Sequence, residues 1–438
     1  MAVEILVDAE QSNSYIDEVL HRRFGSWNGS DRDRRFAQEL AYGTTRWRGK
    51  LDFMIAGQYN GQFHKAEHLV KMLLRSGLYQ MLMMDSVPGP VAINETVELA
   101  KKFGRRKVAG LINGVLRSVK RNMQGIQEEI LSLDDVKRIS VAQSHPEWLV
   151  SRWVDRYGKE GALQLCLWDN QSQKVTLRIN TEQISVSEFM ELLIKQNIVH
   201  QRSKLLSEFI ILRQAQDVLW NEEVFRPEWY AVQDQAAGLT SLLVEPENGE
   251  AVLDCCAAPG GKSTYIAQRF PEADILAYDS DKNRLEKVQS LVKRLHQPNV
   301  QIETADATEY DFPVTDWALL DVPCTGTGVL GKRADARWRR RPEDIPRMVE
   351  TQSAILRNIA RSVKPGGVLV YSTCTLEPEE NWGVVEKFLE ENPNFRIIPI
   401  PDMIPERFQD EKGAVMVLPH VHNMDGAFAV RIQRENEQ

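Results

Sequence analysis

Residues 251–262 read Ala-Val-Leu-Asp-Cys-Cys-Ala-Ala-Pro-Gly-Gly-Lys. This is an apolar run of strand length, 251–256, that empties into small residues and two glycines just before helix-forming sequence at 263–270. A strand, a tight turn and a helix in that order open an α/β sheet. Outward toward the C-terminus the alternation continues, with strands at 274–278, 301–304, 317–322 and 368–372 and helices at 281–295 and 343–363 between them. An open, doubly wound, mostly parallel sheet is expected. Two further strands, 414–418 and 427–432, flank a turn containing Asn423, Asp425 and Gly426 and read as an antiparallel hairpin at the sheet edge.

Outward toward the N-terminus the pattern changes. Residues 1–121 carry apolar side chains at three and four spacing, as in Leu69, Met72, Leu73, Leu78, Met81 and Leu82, and predict an all-helical bundle. Pro88 and Pro90 precede a helix expected over 91–103, since proline suits a first turn, and Gly104 ends it. Between bundle and sheet, a polar linker or helix at 122–144 leads to mixed helix and strand signals. The 438 residues thus divide into an all-α domain (1–140), a small α+β unit (141–230) and the α/β domain (231–438).

Composition excludes several classes. At 42% hydrophobic and 26% charged residues, disordered and collagen-like chains are ruled out. The five cysteines form no ligand-spaced pair, so neither a zinc site nor a disulfide framework is expected, and no metal is assigned. The start lacks a signal-peptide pattern and no apolar run approaches membrane-spanning length. A cytoplasmic monomer with reduced thiols is expected, with no membrane partner. The formal charge of -8 argues against a surface that coats nucleic acid throughout. Its distribution qualifies this: residues 1–140 hold 21 basic against 17 acidic side chains, and the remainder 33 against 45. The stretch 101–121 has eight basic residues and no acidic one, which suits either a solvated helix or a phosphate-contacting face.

Ligands of open α/β sheets lie beyond the carboxyl ends of the strands. The turn Cys256-Ala257-Ala258-Pro259-Gly260-Gly261-Lys262 lets a ligand approach the backbone closely. A P-loop would need glycine at Cys256, and a dinucleotide fingerprint would need GxGxxG. S-adenosyl-L-methionine, which brings no phosphate, remains. Asp279, at the end of the second strand, would accept the ribose hydroxyls, and Asp306, at the end of the third, the adenine amino group; each alone could equally be a helix cap.

Two cysteines close the fourth and fifth strands, in Asp321-Val322-Pro323-Cys324 and Ser372-Thr373-Cys374-Thr375, whereas Cys166 and Cys255 read as inert core. A thiol beside a methyl donor suits methylation of a pyrimidine ring carbon: carbon 5 of cytosine becomes nucleophilic only after a thiolate adds at carbon 6. A base then removes the carbon 5 proton and the thiolate leaves, a step that a second thiol can assist. Asp321 would hydrogen-bond the ring nitrogen or exocyclic amine.

These three segments together resemble the NOL/NOP/Sun family of RNA 5-methylcytosine methyltransferases. The N-terminal bundle is similar to the antitermination factor NusB, an addition typical of the bacterial members that act on small-subunit rRNA. The resemblance implies a Rossmann-like methyltransferase sheet behind a NusB-like RNA-binding domain. It implies Cys374 as nucleophile, Cys324 as release-assisting thiol, and the 256–262 turn with Asp279, Asp306 and Asp321 lining the cofactor site. The implied partner is 16S rRNA or a small-subunit assembly intermediate. After Cys324 the chain departs from the family's usual continuation, with Thr325-Gly326-Thr327-Gly328. The stretch 332–347, with seven basic residues including Arg333, Arg337, Arg339 and Arg347 against three acidic, suits either an RNA grip or a solvated helix start. Two rivals stay open: a DNA cytosine methyltransferase using Cys324 as nucleophile, and a non-catalytic RNA-binding or transcription-regulating module.

Overall fold

The computed structural model describes residues 1–12, 14–25, 27–213 and 225–436. Residues 214–224, within the expected α+β unit, lie outside that description. The chain forms two compact units, one of 1–171 with 330–340 and one of 172–329 with 341–438.

The first unit is helical. Its central helix, His68–Met83, buries Val70, Leu73, Leu74 and Leu78, and around it pack Ala2–Gln11, Asp31–Arg46, Arg48–Ala56, Gly89–Lys102 and Arg106–Arg121. Pro90 sits in the first turn of Gly89–Lys102, where its missing N–H costs nothing. Ser30 caps Asp31–Arg46 by accepting the Asp33 N–H. Helices continue through Met123–Ser132 and Asp135–Gln143 to Glu147–Asn170, which kinks at Gly158. The helical unit therefore runs about thirty residues past the expected boundary at 140, because Glu147–Asn170 packs on Asp135–Gln143.

Leu330–Arg340 completes this unit from a distant part of the chain. Trp338 donates its indole N–H to Thr45 O (2.8 Å), Asp335 accepts the Ile16 N–H (2.8 Å), and Arg339 reaches Ala9 O and Ser14 O. Arg337 is fully buried and donates to Ser144 O (3.1 Å), Asn170 Oδ1 (2.9 Å) and Asp169 O (3.3 Å). At least three members of the 332–347 basic stretch, Arg337, Arg339 and Arg347, thus hold protein groups: the last pairs with Asp344 one helical turn away. The reason is local supply: carbonyls at helix ends in the bundle lack internal partners, and guanidinium donors satisfy them.

The second unit begins with a four-stranded antiparallel sheet in the order β2-β3-β1-β4: β1 Val175–Ile179, β2 His200–Arg202, β3 Phe209–Leu212 and β4 Tyr230–Val232. One face is covered by helix Val186–Lys195, started by a reciprocal Ser185–Glu188 capping box. The larger sheet has β5 Ala251–Asp254, β6 Asp274–Asp279, β7 Val300–Thr304, β8 Thr315–Asp321, β9 Val363–Thr373, β10 Phe395–Ile397, β11 Val415–Val417 and β12 Ala427–Arg434. Its order is β10-β12-β9-β8-β5-β6-β7, with β11 also on β12. The five strands from β9 to β7 are parallel and β12 runs antiparallel to β9.

Side chains alternate between two cores, as the pleat requires. Val252, Leu319, Val370 and Ala429 face helices Gln235–Ser241 and Gly261–Arg269; Leu253, Leu320, Tyr371 and Phe428 face Asp344–Ile359 and Trp382–Glu391. The 427–432 segment is not at the sheet edge as expected. Both β10 and β11 pair along its outer side, and β10, at three residues, is too short to show a period in sequence. Among the described residues no helix is long and apolar enough to cross a membrane, and no three His, Cys, Asp or Glu side chains gather as a metal site.

Candidate functional site

Strand order reverses beside β5, whose neighbours are β6 and β8, so a crevice opens beyond its carboxyl end. The 256–262 turn lies there. Gly260 takes φ +99°, and a Cβ on it would sit 3.1 Å from Val288 Cγ1 and 3.3 Å from Val288 Cα, so only glycine closes this turn without strain. The turn is held by Ala257 N–H to Tyr278 O (2.8 Å) and Gly260 N–H to Ala257 O (2.6 Å). Asp279 is 3% exposed: its Oδ2 accepts the Ala258 N–H (3.2 Å) and its Oδ1 the Asp281 N–H (3.0 Å), while Arg284 donates to Ala258 O (2.8 Å). Asp279 therefore shapes the turn, and the second lone pair of each oxygen is what it has to offer a ligand. Asp306 is exposed, with Oδ1 accepting both the N–H and the hydroxyl of Thr308; these bonds hold its carboxyl below the usual range.

Lys262 separates this turn from a phosphate loop. Its ammonium lies 2.6 Å from Asp321 Oδ2, across the crevice, and Asp321 Oδ1 accepts from Ser372 Oγ (2.9 Å). Burial pulls the Lys262 pKa down, but Asp321 and the nearby Cys374 more than offset it and leave it raised. The lysine is thus engaged by a carboxylate, and the turn offers small residues beside strand-end carboxylates. That donor set fits an adenosyl ligand carrying no phosphate. Asp254, buried at the end of β5, accepts from Ser263 Oγ (2.6 Å), and burial raises its pKa to about 7.

The two thiols meet. β8 and β9 pair in parallel with Asp321 opposite Ser372, so the loops leave the sheet side by side, and Cys324 Sγ lies 3.3 Å from Cys374 Sγ. Gly328 donates to Cys374 O (3.1 Å), and any Cβ on Gly328 would stand 2.7 Å from that oxygen. The Cys324 pKa is pushed well above its ordinary value, first by the hydrogen bond with Cys374, then by burial, then by the charges of Cys374 and Glu380. Cys166 and Cys255 are buried and their pKa values are raised.

Beneath the thiols is a polar layer that the motifs did not announce. Glu377, Glu380, Asn381, Thr325, Thr327, Thr375 and Gln352 are each at most 1% exposed. Asn381 links Thr373 Oγ1 (2.6 Å) to Thr375 O (3.1 Å). No motif marked these groups in the sequence; Glu377 and Glu380 follow the strand-end Cys374 by three and six residues.

Three families match the chain: the NusB family over residues 1–121, the RsmF/B-like ferredoxin-like domain over 145–219, and 16S rRNA methyltransferase RsmB/F over 241–433. A probable ribosomal RNA small subunit methyltransferase B of Bacillus subtilis is 33% identical over 99% of this chain and 98% of its own. The ribosomal RNA small subunit methyltransferase B of Vibrio cholerae is 32% identical over 92% of this chain and 90% of its own. Among solved structures, a methyltransferase homologue protein from Pyrococcus horikoshii superposes with a TM-score of 0.58 at 27% identity, covering 69% of this chain and 99% of its own.

Proposed function

The chain belongs to the 16S rRNA methyltransferase RsmB/F family, and from that premise we propose that it methylates carbon 5 of a cytosine in small-subunit rRNA through a covalent adduct on Cys374. The observation that carries this reading is the 3.3 Å approach of the two strand-end thiols beside the Lys262–Asp321 pair.

The 256–262 turn, Asp279, Asp306 and Asp321 would hold S-adenosyl-L-methionine, which when bound supplies an electrophilic methyl group. The remaining work falls to protein side chains. Cys374 contributes to the raised pKa of Lys262, and that attraction is mutual, so the ammonium favours a thiolate at Cys374. The thiolate adds to carbon 6 of a cytosine lifted from its stack. Asp321 orients the ring through its nitrogen or exocyclic amine. After methylation the proton on carbon 5 must leave. Once the Cys374 sulfur is bonded to carbon, the hydrogen bond and charge that hold up the Cys324 pKa disappear, so Cys324 becomes easier to ionise at the stage where a base is needed. Its thiolate takes the proton, the C–H electron pair restores the 5,6 double bond, and the carbon–sulfur pair returns to Cys374.

The test is adduct trapping with 16S rRNA and the methyl donor. Cys374→Ala is expected to abolish transfer, and Cys324→Ala to methylate once and remain attached to the RNA. A stable adduct from Cys374→Ala with none from Cys324→Ala would reverse the roles. RNA binding without affinity for the methyl donor would instead point to a non-catalytic module.

A further inference from the structure

Glu380 bridges the two cysteine loops. Its Oε2 accepts the Thr325 N–H (2.9 Å) and the Gln352 side-chain N–H (2.9 Å); its Oε1 accepts from Thr325 Oγ1 and from Thr375 Oγ1 (3.1 Å). Thr325 follows Cys324 and Thr375 follows Cys374, so one carboxylate is bonded to the residue next to each thiol. Gln352 also donates to Pro323 O (2.9 Å), gripping the Cys324 loop on its other side. The Glu380 main chain is fixed as well, with its carbonyl accepting from Tyr371 OH (2.6 Å). A fully buried carboxylate loses its hydration on folding and persists only when its lone pairs are filled, as these are.

We infer that Glu380 is a positioning residue for product release: by anchoring the Cys324 and Cys374 loops to one carboxylate, it keeps the release-assisting thiol within reach of carbon 5 while Cys374 is bonded to carbon 6. The inference rests on the covalent reading of the cysteine pair given above. Carbons 5 and 6 are bonded neighbours, so the second thiol is useful only while the two sulfurs stay close. Addition by Cys374 requires no such proximity. Loosening the anchor therefore acts on release rather than on the first methyl transfer, and an ångström of drift is enough to cost roughly 10²-fold in a positioned reaction.

The experiment is rapid-quench single turnover with 16S rRNA and labelled methyl donor, scoring methyl transfer and covalent adduct separately. Glu380→Gln removes the charge and turns one of the two acceptor oxygens into a donor, so the side chain can no longer accept from the Thr325 and Gln352 N–H groups and from both threonine hydroxyls at once. Methyl transfer is expected to stay within about threefold of wild type while adduct release slows at least tenfold. Glu380→Asp should restore part of the release rate, and Gln352→Leu, which removes one donor, should slow it less. In a Cys324→Ala background Glu380→Gln should add no further slowing, because the thiol it positions is gone. Equal losses in transfer and release, or additive slowing in that background, would overturn the inference. If Cys324→Ala itself accumulates no adduct, the reading of Cys374 as nucleophile and Cys324 as release thiol fails; if it does and Glu380→Gln does not, only the positioning role fails.

Discussion

Replacing Arg337 with methionine keeps the buried volume and removes the guanidinium, and the structure assigns the loss to the stability of the helical unit. Arg337 is fully buried, and donates to Ser144 O, Asn170 Oδ1 and Asp169 O at 2.9–3.3 Å. Burial holds its pKa down to about 10 although the Asp169 carboxylate pulls it up, and it is still protonated at neutral pH. Methionine leaves those acceptors buried without their donor, together with the Asp169 carboxylate, which is 1% exposed and 3.3 Å from His145 Nε2. Removing one partner of a buried charged network costs about 3–5 kcal/mol. At 1.4 kcal/mol per tenfold, the folded-to-unfolded ratio of this unit drops by about two to three and a half orders of magnitude. Pulse proteolysis across a urea series, read alongside tryptophan emission, measures it. Trp153 is fully buried, its ring centroid 5.8 Å from that of His145, and reports locally. Stability within about 1 kcal/mol of wild type, combined with a tenfold loss of rRNA affinity, would refute this account and return Arg337 to the RNA-contacting role that its sequence neighbourhood first suggested.

His145 carries the pH counterpart. Burial, and then the Arg337 charge, depress its pKa from 6.5 to about 4, so the unfolded chain binds a proton that the folded unit does not. Its contribution is complete above about pH 6.5 and is lost as pH falls toward 4; His145→Gln should flatten the unfolding free energy across that window, and an unchanged slope would discard the assignment. The eight basic residues of 101–121 are all exposed, and Arg106, Lys107, Arg117 and Arg121 stand on one helix, Arg106–Arg121. Changing those four to glutamine should reduce the slope of log affinity against log salt by roughly 0.7–0.9 for each RNA phosphate that the protein then leaves unneutralised. An unchanged slope would place the RNA elsewhere.

The sheet was legible because its strands are long enough to express a period and its turns fall at chemically distinctive strand ends. That Cys324 and Cys374 each follow a strand end was legible; their approach to 3.3 Å comes from the pairing of β8 with β9, a strand order that the sequence does not state. β10 was not legible, since three residues carry no period. Arg337 was misread because a charged side chain reads as solvated or ligand-facing until its partners are known, and its partner Ser144 lies 193 residues away; Glu380 stands in no motif, and its partner Thr325 lies 55 residues away. Asp279 is intermediate. Its place at a strand end was visible, but its two backbone bonds, which make it a builder of the turn, were not.

The segment Leu330–Arg340 gives the helical unit an unusual birth order. A ribosome delivers residues 1–171 first, yet the groups that satisfy Ser144 O, Thr45 O and the Ile16 N–H arrive only with residues 335–338. At roughly 5–20 residues per second, that interval lasts on the order of ten to thirty seconds. Throughout it the bundle holds an open slot, and it closes only after β5 to β8 of the catalytic sheet have been made. Completion of the N-terminal unit thus reports that the Cys324 loop has already emerged, while the Cys374 strand is still to come.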